Sequence, residues 1–284
     1  MILVTGAGGT VGSEVVKQLQ AAGASFRAAY HSQKKAEAAR AEGIDAVVID
    51  YTQPETLRAA FEGVEKLFLL SGGAPDQTGR EINAVDAAKA AGVRHIVKLS
   101  VIGAETESYS FARVHRPVEK AIEASGAAWT HLRPNGFMQN LQNYMIGTIR
   151  SQGAFYSSIG ETRIAHVDVR DIAAVAVKVL TEPGHEGRAY TLTGPAGLTY
   201  AEMAAQLSSA AGRQINYVDV TDADVKGALT GSGAPESYAN AFVDLLRFYR
   251  TGTAANATDS VRRVTGREAT SFEQYARDNA GAFS

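Results

Sequence analysis

Ile2-Leu-Val-Thr5 runs straight into Gly6-Ala-Gly-Gly-Thr-Val-Gly12, and a helical pattern follows from about Ser13 to Ala22. A buried-strand run, a glycine turn and a helix in this order open a Rossmann nucleotide-binding unit. Glycines at 6, 9 and 12 give G-x-x-G-x-x-G, and Gly8 adds an overlapping G-x-G. One glycine makes the tight turn, another lets backbone amides approach a pyrophosphate, and the last lets helix and strand pack closely. The helix amino end adds unpaired N–H groups and a favourable dipole. No Lys-Ser/Thr pair follows the glycines, so a P-loop fits poorly.

Outward from this loop the alternation continues. Phe26–Tyr30, Ala46–Ile49, Lys66–Leu70, Ile96–Leu99 and Trp129–Leu132 are short apolar runs separated by helical stretches. Strands apolar throughout imply a parallel sheet covered on both faces. After about residue 182 the rhythm changes. Glu182-Pro-Gly-His185 reads as a turn, Tyr190–Thr193 and Ile215–Val220 as strands, Thr199–Gly212 as a helix, with glycine-rich breaks at Gly227–Gly233 and Thr251–Ala257. The fold class expected is α/β: a doubly wound parallel Rossmann sheet with a smaller C-terminal α/β cap. The Rossmann domain takes residues 1–150 and about 164–181, and the cap takes 182–284 and about 151–163. Thr52/Glu55, Thr199/Glu202 and Ser271/Gln274 have capping-box spacing and mark helix starts.

The 284 residues are 45% hydrophobic and 20% charged, with a formal net charge of −2. That balance gives no electrostatic reason to expect nucleic acid. There is no cysteine, which excludes disulfides, thiolate metal sites and a cysteine nucleophile. The six histidines are scattered without His-Glu-x-x-His, so no metal is expected. No Gly-x-Ser-x-Gly elbow for a hydrolase occurs. No apolar run approaches the ~20 residues of a membrane span, and no secretion signal is visible, so a cytoplasmic protein is expected.

The second strand of such a unit ends near the adenosine ribose, where an NAD site offers an acid about 20 residues past the loop. Here the chain reads Tyr30-His-Ser-Gln-Lys-Lys35, with no acid before Glu37. The imidazole of His31, the hydroxyl of Ser32 and the two ammonium groups of Lys34 and Lys35 suit a 2′-phosphate, so NADPH/NADP+ is favoured over NADH. The alternative is that Lys34 and Lys35 merely begin a solvated helix.

With these segments in place, the sequence resembles the NmrA-like branch of the atypical short-chain dehydrogenases. It is similar in particular to small bacterial reductases of quinones, triphenylmethane dyes and azo dyes. The resemblance rests on Leu3–Gly12, Asp50-Tyr-Thr-Gln-Pro54, Phe68-Leu-Leu-Ser-Gly72, His95-Ile-Val-Lys-Leu-Ser100, Leu132-Arg-Pro-Asn-Gly-Phe-Met-Gln-Asn140 and His166-Val-Asp-Val-Arg-Asp-Ile172. Gly233-Ala-Pro235 and Val264-Thr-Gly-Arg267 extend it over nearly the whole chain. It implies that Thr5, Gly6, Gly8, Gly9, Thr10, Val11 and Gly12 line the pyrophosphate. By the same resemblance Asp50 and Tyr51 sit at the adenine, and Leu70, Ser71 and Gly72 pass under the cofactor. Pro134, Asn135, Gly136, Phe137 and Met138 flank the nicotinamide and substrate, with Ser100 and Asn135 counted among the catalytic residues. His31 replaces the arginine common in such proteins.

A typical short-chain dehydrogenase uses Ser with Tyr-x-x-x-Lys. Ser100 lies where that serine is expected, but the helix segment reads His115-Arg-Pro-Val-Glu119, with histidine for tyrosine and glutamate for lysine. Reducing a simple ketone needs a positioned acid for the developing alkoxide. Quinones and azo bonds delocalise the incoming electron pair, so hydride can arrive first and solvent can protonate afterwards. His115 is read either as an acid or as a residue that orients ligand. Tyr109 is assigned to a substrate loop. Tyr144 and Met145 either wall the substrate pocket or fill core. Arg133, Arg163 and Arg170 are assigned to salt bridges.

The function expected is an NADPH-dependent oxidoreductase passing hydride directly to a quinone, azo compound or related dye or imine, without flavin or metal. Cofactor and substrate would meet between the sheet edge and the cap. The partner is a small conjugated aromatic molecule, with a homodimer allowed and no nucleic acid or membrane. The alternative is a redox sensor that binds NADP(H) without turnover. An epimerase or dehydratase with tightly held cofactor is disfavoured by the loss of Tyr-x-x-x-Lys.

Overall fold

A computed structural model describes residues 1–73 and 76–284, and among these described residues there are nine strands and thirteen α-helices. The strands are β1 (Ile2–Val4), β2 (Phe26–Tyr30), β3 (Ala46–Val48), β4 (Lys66–Leu69), β5 (His95–Leu99), β6 (Ala128–Pro134), β7 (Ala154–Ser157), β8 (Arg188–Leu192) and β9 (Asn216–Asp219). The first seven helices are α1 (Thr10–Ala21), α2 (Gln33–Ala41), α3 (Pro54–Phe61), α4 (Gln77–Ala90), α5 (Ser110–Glu123), α6 (Ile146–Gln152) and α7 (Val169–Thr181). The remaining six are α8 (Tyr200–Ala211), α9 (Asp222–Gly231), α10 (Glu236–Arg250), α11 (Ser260–Thr265), α12 (Phe272–Asp278) and α13 (Ala280–Phe283).

Seven strands form one sheet in the order β3-β2-β1-β4-β5-β6-β8, and the pairs from β3 through β6 are parallel. The order reverses between β1 and β4, which puts the ligand crevice of a doubly wound fold at the carboxyl end of β1. That is where the glycine loop begins. Leu3, Leu67, Leu69 and Ile96 pack with Leu57 and Phe61 of α3, Val85 of α4 and Val118 and Ile122 of α5 in one buried cluster. Val11, Val15, Val16 and Leu19 form the buried stripe of α1 at helical spacing, and α1 packs against α7.

The chain divides into two compact units. Unit 1 comprises Met1–Glu105, Val114–Arg133 and Val169–Tyr190; unit 2 comprises Thr106–Arg113, Pro134–Asp168 and Thr191–Ser284. The expected boundaries at 150 and 181 therefore move. Residues 134–150 and 164–168 go with unit 2, because Phe137 bridges to Val167 and Asn135 N–H donates to Leu192 O. Residues 182–190 go with unit 1, because Gly187 N–H donates to Trp129 O as the chain turns into β8. In unit 2, β7 and β9 pair as a two-stranded parallel sheet, and Phe155 and Tyr217 each meet Tyr200 of α8 edge-on.

Among the helix starts, Thr199 and Glu202 form the expected reciprocal capping box, and Ser271 accepts from Gln274 N–H. Thr52 does not cap α3. The N-cap is Gln53, and both the N–H and the hydroxyl of Thr52 donate to Asp50 Oδ1 at 2.8 and 2.7 Å. The break expected at Gly227–Gly233 is also displaced: Gly227 and Gly231 lie inside α9, which an unforeseen Thr221/Asp224 capping box initiates. Among the described residues, no helix is long and apolar enough to cross a membrane.

Candidate cofactor and active site

The glycine loop has the close backbone packing that its spacing demands. A Cβ on Gly12 would stand 2.1 Å from Gly6 O, and one on Gly6, at φ +64°, would stand 2.8 Å from Leu70 O. Gly6 O accepts from Gly9 N–H at 3.0 Å, closing the turn. No side chain caps the amino end of α1 at Gly9, so the helix presents an uncapped positive end to an anion. Val11 is buried and serves the loop only through its backbone.

Beside the loop, Lys35 Nζ donates to Gly8 O at 2.9 Å and its stem lies over Gly8. Ser32 caps α2 through Lys35 N–H, and the N–H and hydroxyl of Thr52 hold the Asp50 carboxyl below its usual range, with a smaller contribution from exposed His31. The hydroxyl of Tyr51, a residue expected at the adenine, donates to Leu70 O at 2.9 Å and braces the strand end. Thr5 Oγ1 accepts from Leu70 N–H and lies 2.9 Å from Leu70 O, fixing the same segment. These residues fit a dinucleotide phosphate: a cradle that side chains cannot enter, an uncapped helix end, and an ammonium beside it.

Past β4, Ser71 donates to Glu81 Oε1 through its hydroxyl at 2.8 Å and its N–H at 3.2 Å. Glu81 of α4 is fully buried and ion-paired at 3.0 Å with Lys98 of β5, which is also fully buried. The sequence reading missed this pair. Its signal was a lysine within the apolar run of β5, since a buried ammonium requires a carboxylate.

His115 of α5 is 9% exposed, and its Nδ1 is buried without a hydrogen-bond partner among the described residues. Burial, reinforced by the Lys98 charge, pushes its pKa well below the ordinary histidine value, so the imidazole is neutral at neutral pH. One turn on, Glu119 is held by Arg133 through Nε at 2.9 Å and Nη2 at 2.8 Å, and by Arg116 Nη1 at 3.0 Å. Burial opposes its ionisation, but Arg133, helped by His131 and Ser100, holds the carboxyl at about 2. Among the described residues the Ser100 hydroxyl is buried without a partner in hydrogen-bond geometry, though close enough to Glu119 to favour its charge. Glu119, Glu123 and His131 lie close enough to share a cation. Arg116 already bridges both carboxylates, so the cluster is a salt-bridge network.

The other expected site residues belong to unit 2. Asn135 Nδ2 donates to Ala254 O at 2.8 Å, and Oδ1 accepts from Gly136 N–H at 2.8 Å. A Cβ on Gly136 would meet the Tyr249 hydroxyl at 2.9 Å and His166 Cδ2 at 3.0 Å. Met138 is buried and lines a cavity of about 150 Å³ with Ile164, His166, Leu198, Met203 and Phe272.

The NmrA-like family matches residues 1–276. The chain belongs to that family. This NmrA-like protein is 44% identical over 284 residues to the NAD(P)H azoreductase of Xenophilus azovorans, covering 100% of this chain and 99% of the relative. The NADPH-dependent quinone oxidoreductase of Escherichia coli complexed with NADPH superposes with a TM-score of 0.88 at 31% identity, covering 98% of this chain and 99% of that one. The Citrobacter sp. triphenylmethane reductase complexed with NADP(H) gives 0.86 at 29% identity, with 98% and 99% covered.

Within this NmrA-like chain the geometry gives particular surroundings to three of the expected site residues. Both ends of the Asn135 amide are held by backbone groups, which makes it a latch for Gly136 rather than a group presented to substrate. Tyr109, in the bend just before α5, is 2% exposed and stacks on Phe248 at 4.4 Å, so its ring is packed within unit 2. Tyr144, in a π-helical turn at Leu141–Met145, is 72% exposed and fills no core. Pro134 is buried, and Phe137 is half-buried at its bridge to Val167. Arg133 and Arg163 are ion-paired as expected, to Glu105 and Glu119 and to Glu202 respectively.

Proposed function

We propose that the protein is an NADPH-dependent reductase that passes hydride directly to an electron-poor conjugated acceptor: a quinone, an azo compound or a related dye or imine. The observation that carries this reading is the pairing of a phosphate cradle with an active-site helix that has no acid to offer at neutral pH. His115 is neutral where a tyrosine acid would stand, and Glu119 is locked to two arginines where a lysine would stand. The azoreductase and quinone oxidoreductase relatives support the acceptor class.

Gly6, Gly8, Gly9 and Gly12 hold the pyrophosphate, with Thr5, Thr10 and Val11 contributing through the loop and the start of α1. His31, Ser32 and Lys35 face the 2′-phosphate, Asp50 lies at the adenine, and Leu70, Ser71 and Gly72 run under the cofactor. When bound, NADPH supplies the hydride. His115 orients ligand by hydrogen bonding, Phe137, Met138 and Tyr144 contact the acceptor, and solvent supplies the proton afterwards. Catalysis then comes from proximity and orientation.

The test is NADPH oxidation against a panel of quinones, azo dyes and imines. Tight NADPH binding with no oxidation by any acceptor would replace the reductase with a redox sensor. A second expectation concerns the 2′-phosphate. Lys35→Ala weakens NADPH binding about tenfold, the worth of one charge-assisted phosphate contact, and leaves NADH binding unchanged. Equal loss for both dinucleotides would show that Lys35 serves only to close the loop over Gly8.

A further inference from the structure

The cavity beside Met138 lies wholly within unit 2, and apart from Met138 none of its walls belongs to the proposed cofactor and acceptor set. It holds about 150 Å³, and Met138, Leu198, Met203 and Phe272 form its apolar side. A cavity of roughly this size with apolar walls takes one six-membered ring. Two thioethers and a phenyl ring favour an aromatic occupant, because sulfur and ring edges both make good contacts with aromatic groups.

Two polar atoms at the same cavity lack partners. His166 is 7% exposed, and its Nδ1 is buried with no hydrogen-bond partner among the described residues. The same holds for Gln206 Oε1, and both residues line the cavity. The Ile164 backbone favours a proton on the imidazole but does not meet Nδ1 in hydrogen-bond geometry. Buried polar atoms are normally paired, so two left open beside one cavity point to a molecule that fills it. A carboxamide oxygen only accepts, and a neutral imidazole nitrogen gives or takes according to its tautomer. The occupant must therefore bring a donor, and a hydroxyl, which also accepts, suits both atoms.

The surroundings also select for charge. Gln206 of α8 and Glu273 of α12 border an open groove outside the cavity as well, together with Ser209 and Arg277, which gives a way in. Among the described residues Glu273 is the one charged member of the lining, and Arg277 is its ion-pair partner. His166 is neutral at neutral pH because burial disfavours its charged form. The lining thus offers no cation, and an anionic ligand would lose its hydration without compensation.

We propose that this cavity is a binding site for a small neutral phenol. Its ring packs against Met138, Met203 and Phe272, its hydroxyl donates to Gln206 Oε1, and His166 is the second polar wall. The site needs neither NADPH nor turnover, so it stands or falls apart from the reductase reading.

The test is calorimetric titration of the full chain, without cofactor, using phenol, toluene and benzoate as probes. Phenol binds with a Kd on the order of 0.1–1 mM, the range open to so small a ligand. Toluene and benzoate bind at least about tenfold more weakly, one for want of a hydroxyl and the other for its charge. Gln206→Leu removes the advantage of phenol over toluene. Met203→Phe fills the cavity and abolishes binding of both, and Leu198→Phe serves if that variant does not fold. No phenol binding up to about 10 mM would leave the cavity to water alone and overturn the proposal. Equal affinity for phenol and toluene, benzoate bound as tightly as phenol, or phenol binding that survives the filled cavity would each overturn it too.

Discussion

Gly12→Ala abolishes useful cofactor binding: NADPH affinity falls on the order of 100-fold, equivalent to about 2.8 kcal/mol. The new Cβ would lie 2.1 Å from Gly6 O and 2.7 Å from Gly6 C, both backbone atoms, so no side chain can swing aside. The turn itself must open, and Gly6 cannot retreat because Leu70 O stands behind it. Overpacking at this point also lowers stability by about 1–3 kcal/mol. Gly9→Ala provides the contrast. Its Cβ meets Gly6 O at 3.4 Å, an ordinary contact, so the melting temperature stays near wild type. Fluorescence titration with NADPH and thermal unfolding of the two variants check both expectations. Unchanged NADPH affinity and melting temperature in Gly12→Ala would overturn this steric account of the loop.

Acid is expected to cost the fold more than any surface substitution. Burial first, with the Lys66 charge second, lowers His95 to about 4. Burial lowers His166 to about 4 as well, against the help of the Ile164 backbone. Both are neutral in the folded protein at neutral pH, and an unfolded histidine titrates near 6.5. Below that value the unfolded chain takes up protons that the folded chain refuses. The stability is therefore fully present above pH ~6.5 and is lost as pH falls toward 4. Between pH 7.5 and 4.5 each histidine contributes a loss of roughly 2.5 kcal/mol, together a large part of the ~5–15 kcal/mol typical of a folded domain. His115 and His131 are displaced in the same direction, whereas Glu119, at about 2, does not titrate in this window. Urea unfolding at the two pH values measures the difference. Equal stabilities would mean that these imidazoles are better solvated than their burial implies.

Much of unit 1 could be read in advance because its strands are apolar throughout and its loop is glycine for steric reasons. β2 has the expected bounds, and β1 and β3 to β6 fall within two residues of them. β7 went unseen. Four residues with an exposed Tyr156 carry too short an alternation, and their partner β9 lies some sixty residues away. Glycines 227 and 231 misled because composition argues for a break, while a capping box and the packing of Val225 hold the helix. In the candidate site, residue types named the ligand but not their own duties. Asn135 and Tyr51 carry polar ends whose partners are backbone groups far along the chain, and no spacing rule reveals them. Lys98 was visible as an oddity. Its carboxylate lay on another helix, and only the folded chain joins them.

The arginine clamp on Glu119 also constrains which side chain position 119 can hold. A lysine restored at this position would arrive as a third cation between Arg116 and Arg133, which now share its carboxylate, and would strip Arg133 of its bidentate partner. Reinstating tyrosine at 115 and lysine at 119 would thus not rebuild an ordinary dehydrogenase; the arginines would have to change first.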